Sequence, residues 1–310
     1  MSLSVQYDSS FDGFLSAVFE IYRQRLDVGD IVPLRSYASC DSQTMDLFMQ
    51  PFRIETNPES ARRLRRAIVN AASEDVLNLL EAAFRSEESG VEMKILAYLR
   101  KLFAGLDSNY GKNPSSLEML PLLAIAKSVR REAGNMLGMV RFNRAPDGTY
   151  VSEIEPKYDV LEMIVGHFRG RFPNGRWAIV DVMRGYGALY DGRRVQFVSI
   201  SDPTRISRMI AEHAPPDAFT QMWKSYYDSM AIKERLNPRL LKQCLPVRYW
   251  RHLPERMQNL ANVEVGSGFG ETRGSLGFGS ESLPSAIAQR NALSMQKIAS
   301  QNPRDCLPSV

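Results

Sequence analysis

The sequence has 310 residues, of which 44% are hydrophobic and 24% are charged, and its formal net charge is +4. A chain of this length and composition can bury the core of one large globular domain or of two small ones. The three cysteines are far apart and form no CxxC motif, which excludes a disulfide framework and a cysteine-based zinc or iron–sulfur site within one chain. The sequence shows neither a secretory signal nor an apolar run of about 18 residues. We therefore expect a cytoplasmic protein without a membrane anchor.

The first half of the chain carries mostly helical patterns. Leu3 to Tyr7 predicts a short strand, and apolar residues three and four apart from Phe11 to Tyr22 predict a helix after it. Asn57-Pro58 is a typical helix start, and residues 57–137 predict a block of about four helices. Two of these helices have basic faces, which are typical of solvated helices but also of proteins that contact phosphates. The basic residues are Arg62, Arg63, Arg65 and Arg66 on one helix and Lys127, Arg130 and Arg131 on another.

The pattern changes to strands after residue 137. Strand-like runs around Pro146-Asp147-Gly148 and around Asp191-Gly192 predict two hairpins, with a helix at residues 160–168 between them. The predicted fold class is therefore α+β, a helical block plus a mostly antiparallel sheet made of hairpins. We expect a single domain over residues 1–256, with its helical part at about 57–137 and its sheet-containing part at about 138–256.

The composition shifts again after about Arg256. Six glycines lie between Gly266 and Gly279, but the segment has neither the GxGxxG spacing nor the Walker Lys-Ser/Thr pair of a phosphate-binding loop. Such a composition is typical of a flexible linker. Residues 257–310 are accordingly predicted to be a Gly-rich linker and a poorly ordered tail.

A polar constellation lies between residues 161 and 200. His167 and Arg171 are four apart on one helical face, and Asp181 and Arg184 follow at the end of a predicted strand. In a structural interpretation, His167 faces the core and Arg171 caps carbonyl groups at the helix end. In a catalytic interpretation, His167 and Asp181 form a general acid/base pair in a groove beside the sheet. Three histidines in the whole chain argue against a histidine-rich metal site, whereas a mixed His/Asp/Glu site stays open.

A basic-aromatic segment covers residues 232–255. Its cations could follow the phosphates of a nucleic-acid strand while its rings stack on the bases. Alternatively, the two rings fill the core and the arginines pair with Glu234 and Glu255, and the residues alone leave both interpretations open. The residues singled out in this segment are Lys233, Arg235, Arg248, Tyr249 and Trp250.

Segments spread over residues 5–255 match a bacterial family in the right order. They include YDSSFDGFLSAVFEIY near the start, EIEPKYDVLEMIVGHFRGRF in the middle and IKERLNPRLLKQCLPVRYW near the end. The chain thus resembles a family of uncharacterised function described as DNA-repair or DNA-metabolism proteins. It departs from the family at Arg85, where a larger apolar residue is usual, and from Val180 to Met183, where the family tends to be more polar. The second departure weakens the case for a catalytic strand.

The resemblance implies an accessory module. In some members the domain is fused to a uracil-DNA-glycosylase-like domain with an iron–sulfur cluster, and in others it stands alone, encoded beside a radical-SAM protein. This chain lacks a CxxxCxxC motif and resembles the stand-alone form. No cofactor and no metal are predicted for it. The expected partners are single- or double-stranded DNA and a radical-SAM protein.

Three functional hypotheses follow. The first is a DNA-metabolism accessory protein that binds nucleic acid, a partner enzyme, or both. The second is a hydrolase or lyase acting on DNA or on a modified nucleotide, with His167 or Asp181 as the acid/base. The third is a protein-interaction scaffold without catalysis. The predicted phosphate- or nucleic-acid-binding residues are Arg141, Arg171, Arg184, Lys233, Arg235, Arg248, Tyr249 and Trp250.

Overall fold

The protein has an α+β fold, as predicted. The computed structural model describes residues 3–33, 50–105, 110–145, 147–200, 218–232, 235 and 237–256, so the predicted tail at 257–310 lies outside the described residues. The strands are β1 (Leu3–Tyr7), β2 (Val28–Pro33), β3 (Gln50–Arg53), β4 (Asn143–Arg144), β5 (Tyr150–Ile154), β6 (Trp177–Asp181), β7 (Tyr186–Tyr190) and β8 (Val195–Ser199). The helices are α1 (Phe11–Gln24), α2 (Pro58–Ala71), α3 (Glu74–Phe84), α4 (Val91–Ala104), α5 (Met119–Met139), α6 (Leu161–Arg171), α7 (Ala218–Met230) and α8 (Pro238–Cys244), with short 3₁₀ helices at Tyr110–Lys112 and Val247–His252. None of these helices combines the length and the apolar character that a membrane crossing requires.

The chain divides into two compact units. Unit 1 contains the described residues up to Ala133 and the short segment Lys157–Val160. Unit 2 contains Gly134–Pro156 and the described residues from Leu161 onward. The boundary falls inside α5. That residues 1–256 act as a single domain stays a prediction.

Unit 1 contains a parallel three-stranded sheet. Its strand order is β2-β1-β3, and Val5 of the central strand lies opposite Ile31 and Phe52. Parallel neighbours need a crossover connection, which α1 provides between β1 and β2. The Ser10 hydroxyl caps α1 by accepting from the Gly13 N–H. Most of the apolar face predicted for this helix is buried, whereas Tyr22 at its end is exposed.

The predicted helical block follows this sheet. The side chain of Asn57 caps α2 and Pro58 lies in its first turn, as the sequence indicated. The side chain of Ser73 caps α3. One side of each helix is buried, including Ile68 on α2 and Leu80 on α3. An aromatic cluster with ring centroids 5.2 to 6.3 Å apart joins the block to β1 and α1. Its members are Tyr7, Phe11, Phe14 and Phe84.

Unit 2 contains a five-stranded sheet with the order β4-β5-β6-β7-β8. Three of its four strand pairings are antiparallel, so the prediction of a mostly antiparallel sheet is confirmed. The fourth pairing, between β5 and β6, is parallel and is connected through α6. Central strand β6 is buried over its whole length, which agrees with its nearly continuous apolar sequence WAIVD.

Candidate functional site

Asp181 and Arg184 form a buried ion pair at the end of β6. Arg184 Nη1 lies 3.0 Å from Asp181 Oδ2 and donates to the Pro156 carbonyl at 3.1 Å. Asp181 Oδ1 accepts from the backbone N–H groups of Met183 and Arg184, at 3.0 and 3.1 Å. These bonds hold the turn between β6 and β7. Both side chains are shielded from solvent, which suits a structural pair better than an acid/base or a phosphate ligand.

His167 lies on the exposed face of α6, with the exposed Arg171 one turn further on. Its ring meets the Phe168 ring edge-on, with the centroids 5.3 Å apart. Because Asp181 is fully buried and His167 is exposed, the two side chains predicted to form an acid/base pair are in different environments. Within the described residues, no hydrogen bond or ion pair joins them. His167 is also not the inward-facing histidine of the structural interpretation.

Tyr249 and Trp250 are buried, with 2% and 4% of their surfaces exposed. Trp250 Nε1 donates to the Leu245 carbonyl at 3.0 Å, and the Arg256 guanidinium lies 6.0 Å from the Trp250 ring centroid. These rings therefore offer no free face to a base, and the structural interpretation describes this segment better than the stacking one. Arg248 is exposed and lies over the Tyr249 ring, 4.5 Å from its centroid.

The remaining predicted cations lie in different environments where the structure describes them. Arg141 is half-buried, donates to Glu255 at 2.8 Å and lies 5.6 Å from the centroid of the Trp223 ring. It is therefore bound within unit 2. Arg235 is exposed, and Lys233 lies outside the described residues.

The strand register brings a different set of arginines to one edge of the unit 2 sheet. Arg144 pairs with Tyr150, Tyr150 with Trp177, Trp177 with Tyr190, and Tyr190 with Val195. This row crosses all five strands where β4 and β7 end and where β5, β6 and β8 begin. Because α6 connects two parallel strands, its last residues return to the same edge. We call the six exposed residues here the arginine edge: Arg144, Arg169, Arg171, Arg176, Arg193 and Arg194.

Hydrogen bonds join the loops of this edge. The Tyr190 hydroxyl donates to the Pro173 carbonyl at 3.0 Å, which ties the end of β7 to the loop after α6. The Arg176 guanidinium donates to the Asp147 carbonyl at 2.8 Å, and the Tyr150 N–H donates to the Arg176 carbonyl at 3.0 Å. The arginines are therefore carried by backbone segments that are fixed to one another.

The two carboxylates of this edge bond mainly to their own turns. Asp147 accepts from the Thr149 N–H at 3.0 Å and hydroxyl at 2.8 Å, and Asp191 accepts from the N–H groups of Arg193 and Arg194, both at 2.8 Å. The bonds from Thr149 hold the pKa of Asp147 below its usual value. The N–H groups of Arg194 and Arg193 do the same for the pKa of Asp191. Both side chains are thus kept ionised but turned toward backbone N–H groups.

Among the described residues, most guanidinium groups of the arginine edge have no ion pair with a carboxylate. Arg194 approaches Asp191 at 3.8 Å, and Arg176 bonds a carbonyl. Within the part of the chain that the structure describes, the arginines without a carboxylate ion pair are Arg144, Arg169, Arg171, Arg176 and Arg193. Counted over the described residues, six guanidinium groups and the carboxylates of Asp147 and Asp191 give this edge a net charge of +4. Two exposed rings, Tyr150 and Phe172, lie among the arginines.

The carboxyl-terminal edge of the unit 1 sheet is the place where topology favours a ligand, because the chain leaves central strand β1 toward one neighbour and returns on its other side. There Asp8 Oδ1 accepts from the Ser10 N–H at 3.0 Å and from its hydroxyl at 2.6 Å, and the Thr56 hydroxyl donates to Oδ2. A Cβ atom at position 13 would overlap Asp8 Oδ1, so the Asp8 carboxylate can lie here only because residue 13 is glycine. The chain's own carboxylate therefore already occupies the α1 N-terminus.

Among the described residues, no three or more His, Cys, Asp and Glu side chains are grouped to hold a metal ion. An open groove of about 510 Å³ lies beside α1 in unit 1. Charges of both signs line it, including Glu20, Arg53 and Glu55. Such mixed lining defines no ligand class.

Sequence analysis missed the arginine edge because its residues come from separate segments between positions 144 and 194. Only the strand register places them in one row. A signal was nevertheless present. The two predicted hairpin turns and the end of the predicted helix each carry arginines, and a parallel connection through that helix would have brought all three together.

Comparison with known proteins gives a family but no activity. No curated protein matches the chain. One solved structure, a DHH domain described as a member of the s1p family of ribosomal proteins, is similar over 68% of this chain at 12% identity, with a TM-score of 0.24. The match spans 61% of the length of that structure. The family described as a domain of unknown function, DUF4130, matches residues 89–255, which is more than half of the chain, and the protein belongs to this family.

Proposed function

We propose that the protein is a cytoplasmic accessory protein of DNA metabolism that binds nucleic acid, with the arginine edge as the surface for the phosphate backbone. The observation that carries this proposal is the set of six exposed guanidinium groups against two carboxylates on one ordered edge. Guanidinium groups donate paired hydrogen bonds to phosphate oxygens, and neutralising phosphates releases counterions. The resemblance to DNA-repair and DNA-metabolism proteins supports the same class of partner.

The test is binding of labelled oligonucleotides, measured by fluorescence anisotropy at several salt concentrations. The double variant Arg171→Gln/Arg193→Gln removes two unpaired cations of the arginine edge. We expect lower affinity for any base sequence and a salt slope smaller by about 2, since each lost phosphate contact contributes about 1.

The matched control is Arg62→Gln/Arg66→Gln on α2 of unit 1. It makes the same charge change at two exposed arginines that, among the described residues, have no carboxylate partner. We expect its affinity to equal that of the unaltered protein. An equal loss in both variants would contradict the assignment to the arginine edge, and binding without salt dependence would contradict the proposal as a whole.

A second candidate function is a scaffold for a partner protein. Helix α7 exposes Met222, Tyr226 and Met230, which are four residues apart and each more than half exposed. An apolar stripe of this kind is typical of helices that bind another protein. The resemblance implies a radical-SAM protein as that partner.

Analytical ultracentrifugation of this protein mixed with the purified radical-SAM protein tests this second candidate function. We expect a complex that is lost in Met222→Lys/Met230→Lys and retained in Arg171→Gln/Arg193→Gln. Absence of a complex with the unaltered chain would remove the candidate.

The enzyme hypothesis has less support, because His167 is exposed and Asp181 is bound in a buried pair. Turnover of lesion-bearing oligonucleotides that His167→Ala abolishes would reinstate it.

A further inference from the structure

We infer that the arginine edge takes an unpaired strand of nucleic acid rather than a duplex, with Phe172 and Tyr150 stacking on its bases. This inference rests on the proposed function and names the form of nucleic acid that the edge recognises. Phosphate contacts alone do not separate the two forms, because both carry the same charged backbone. The rings that lie among the guanidinium groups make the distinction.

Both rings are accessible in the folded protein. Phe172 is 41% exposed and Tyr150 is 44% exposed. Each is next to a cation, since Phe172 directly follows Arg171 and Tyr150 is the cross-strand partner of Arg144. In a duplex the faces of the bases are covered by their neighbours, whereas an unpaired base has a free face for an aromatic ring. Exposed rings at this position would therefore add affinity only for an unpaired strand.

A cluster of rings holds Phe172 in place. Its ring centroid lies 5.6 Å from that of Phe142, with the planes nearly perpendicular, and 6.5 Å from that of Phe168, with the planes nearly parallel. Phe142 and Phe168 each also lie 6.4 Å from the buried Trp177 ring. The Phe172 N–H donates to the Phe168 carbonyl at 2.9 Å. Because one side of the ring is packed and its backbone is fixed, stacking on a base costs little side-chain entropy.

Tyr150 is fixed by the sheet. It is the first residue of β5, its N–H donates to the Arg176 carbonyl at 3.0 Å, and it lies in register between Arg144 and Trp177. The hydrogen-bonded backbone therefore fixes the position of the Tyr150 side chain, while the exposed part of its ring is accessible to a ligand. Cationic groups flanking a ring supply the charge that follows the strand between stacked bases.

The experiment compares unpaired oligothymidylate and oligouridylate with a hairpin duplex, using the full chain and fluorescence anisotropy. Phe172→Leu and Tyr150→Leu keep apolar bulk but remove the flat face. We expect each to weaken binding of the unpaired strands by roughly 5-fold or more, as loss of one base–ring stack does. Affinity for the duplex and the salt slope should not change. The two homopolymers separate DNA from RNA as the source of the unpaired strand.

Two controls accompany these variants. Tyr150→Phe retains the ring and should bind like the unaltered protein, and Tyr226→Leu removes an exposed ring of α7 and should have no effect. Thermal unfolding of each variant verifies that it is folded. Equal affinity of the unaltered protein for unpaired and duplex forms, or unchanged affinity in both leucine variants, overturns this inference but leaves the proposed function standing. Failure of all forms to bind with salt dependence overturns the proposed function itself.

Discussion

The two sheets of the protein have edges of opposite character. In unit 1, the edge that parallel topology favours for a ligand is filled by Asp8, whose oxygens are bonded by Ser10 and Thr56. In unit 2, a mostly antiparallel sheet has an edge without that topological advantage, yet it exposes six arginines. Sheet topology thus favours a position for a binding site. Whether a ligand can bind there depends on whether the side chains already form hydrogen bonds or ion pairs with one another.

The same contrast separates three aspartates of unit 2. Asp181 is enclosed and neutralised by Arg184 inside the protein, while Asp147 and Asp191 lie in exposed turns. Buried or internally bonded polar groups should therefore affect stability more than the exposed arginines of unit 2.

The largest loss of stability is expected for Asp181→Ala. This change removes the carboxylate of a buried ion pair with Arg184 and the oxygen that accepts from two backbone N–H groups in the turn after β6, so the free energy of unfolding should fall by about 3–5 kcal/mol. Urea unfolding followed by circular dichroism measures it. The exposed Asp191→Asn is the control and should lose much less. Equal losses of stability in both variants would show that the buried ion pair of Asp181 and Arg184 contributes no more to stability than an exposed carboxylate does.

The next largest effect is expected at the closed edge of unit 1. Asp8→Ala leaves the Ser10 and Thr56 groups without their acceptor and should cost about 1–3 kcal/mol. Gly13→Ala should cost a similar amount, because its Cβ displaces the Asp8 carboxylate. The double variant should then be little less stable than Asp8→Ala alone. Additive losses in denaturant unfolding would mean that the two positions act independently.

Acid should destabilise unit 2 through His252. The pKa of His252 is lowered to about 4, chiefly by burial and also by the Arg251 guanidinium, while the Glu153 carboxylate partly opposes the shift. The imidazole is therefore neutral at pH 7, and its approach to Glu155 Oε2 at 3.5 Å is not an ion pair. Below pH 6.5 the unfolded chain binds a proton that the folded chain excludes, so stability should fall between about pH 6.5 and 4.

His252→Gln should remove this part of the pH dependence, about 1–2 kcal/mol after allowance for partial exposure. The exposed His167→Gln provides the control for the substitution itself and should leave the free energy of unfolding at pH 7 nearly unchanged. If His252→Gln instead lost stability more steeply in acid than the unaltered protein, the proposed direction of the effect of His252 on stability would be wrong.

The smallest effect on stability is expected for the arginine edge. Arg171→Gln/Arg193→Gln removes no ion pair among the described residues, so each change should alter the free energy of unfolding by less than about 0.5 kcal/mol. Thermal unfolding in the absence of nucleic acid measures this. A large loss of stability would mean that these arginines stabilise the fold. The arginine edge would then not differ from the internally bonded Asp8 site of unit 1.

Local signals in the sequence were sufficient for much of the fold. Asn57 caps α2 as expected, because a helix start depends on side-chain hydrogen bonds within a few residues. The hairpin turns and the α+β class were likewise predicted from spacing. The parallel sheet of unit 1 was not, since β1, β2 and β3 are short and their pairing depends on contacts between distant segments.

The candidate site depended more on tertiary structure. By itself the sequence determined which side chains carry charge and rings, and where helices and turns begin. Only the fold decided that Tyr249 and Trp250 are buried, that Asp181 bonds Arg184 rather than His167, and that six arginines share one edge. The physical reason is that burial and strand register arise from contacts between segments far apart in the chain, which local spacing does not encode.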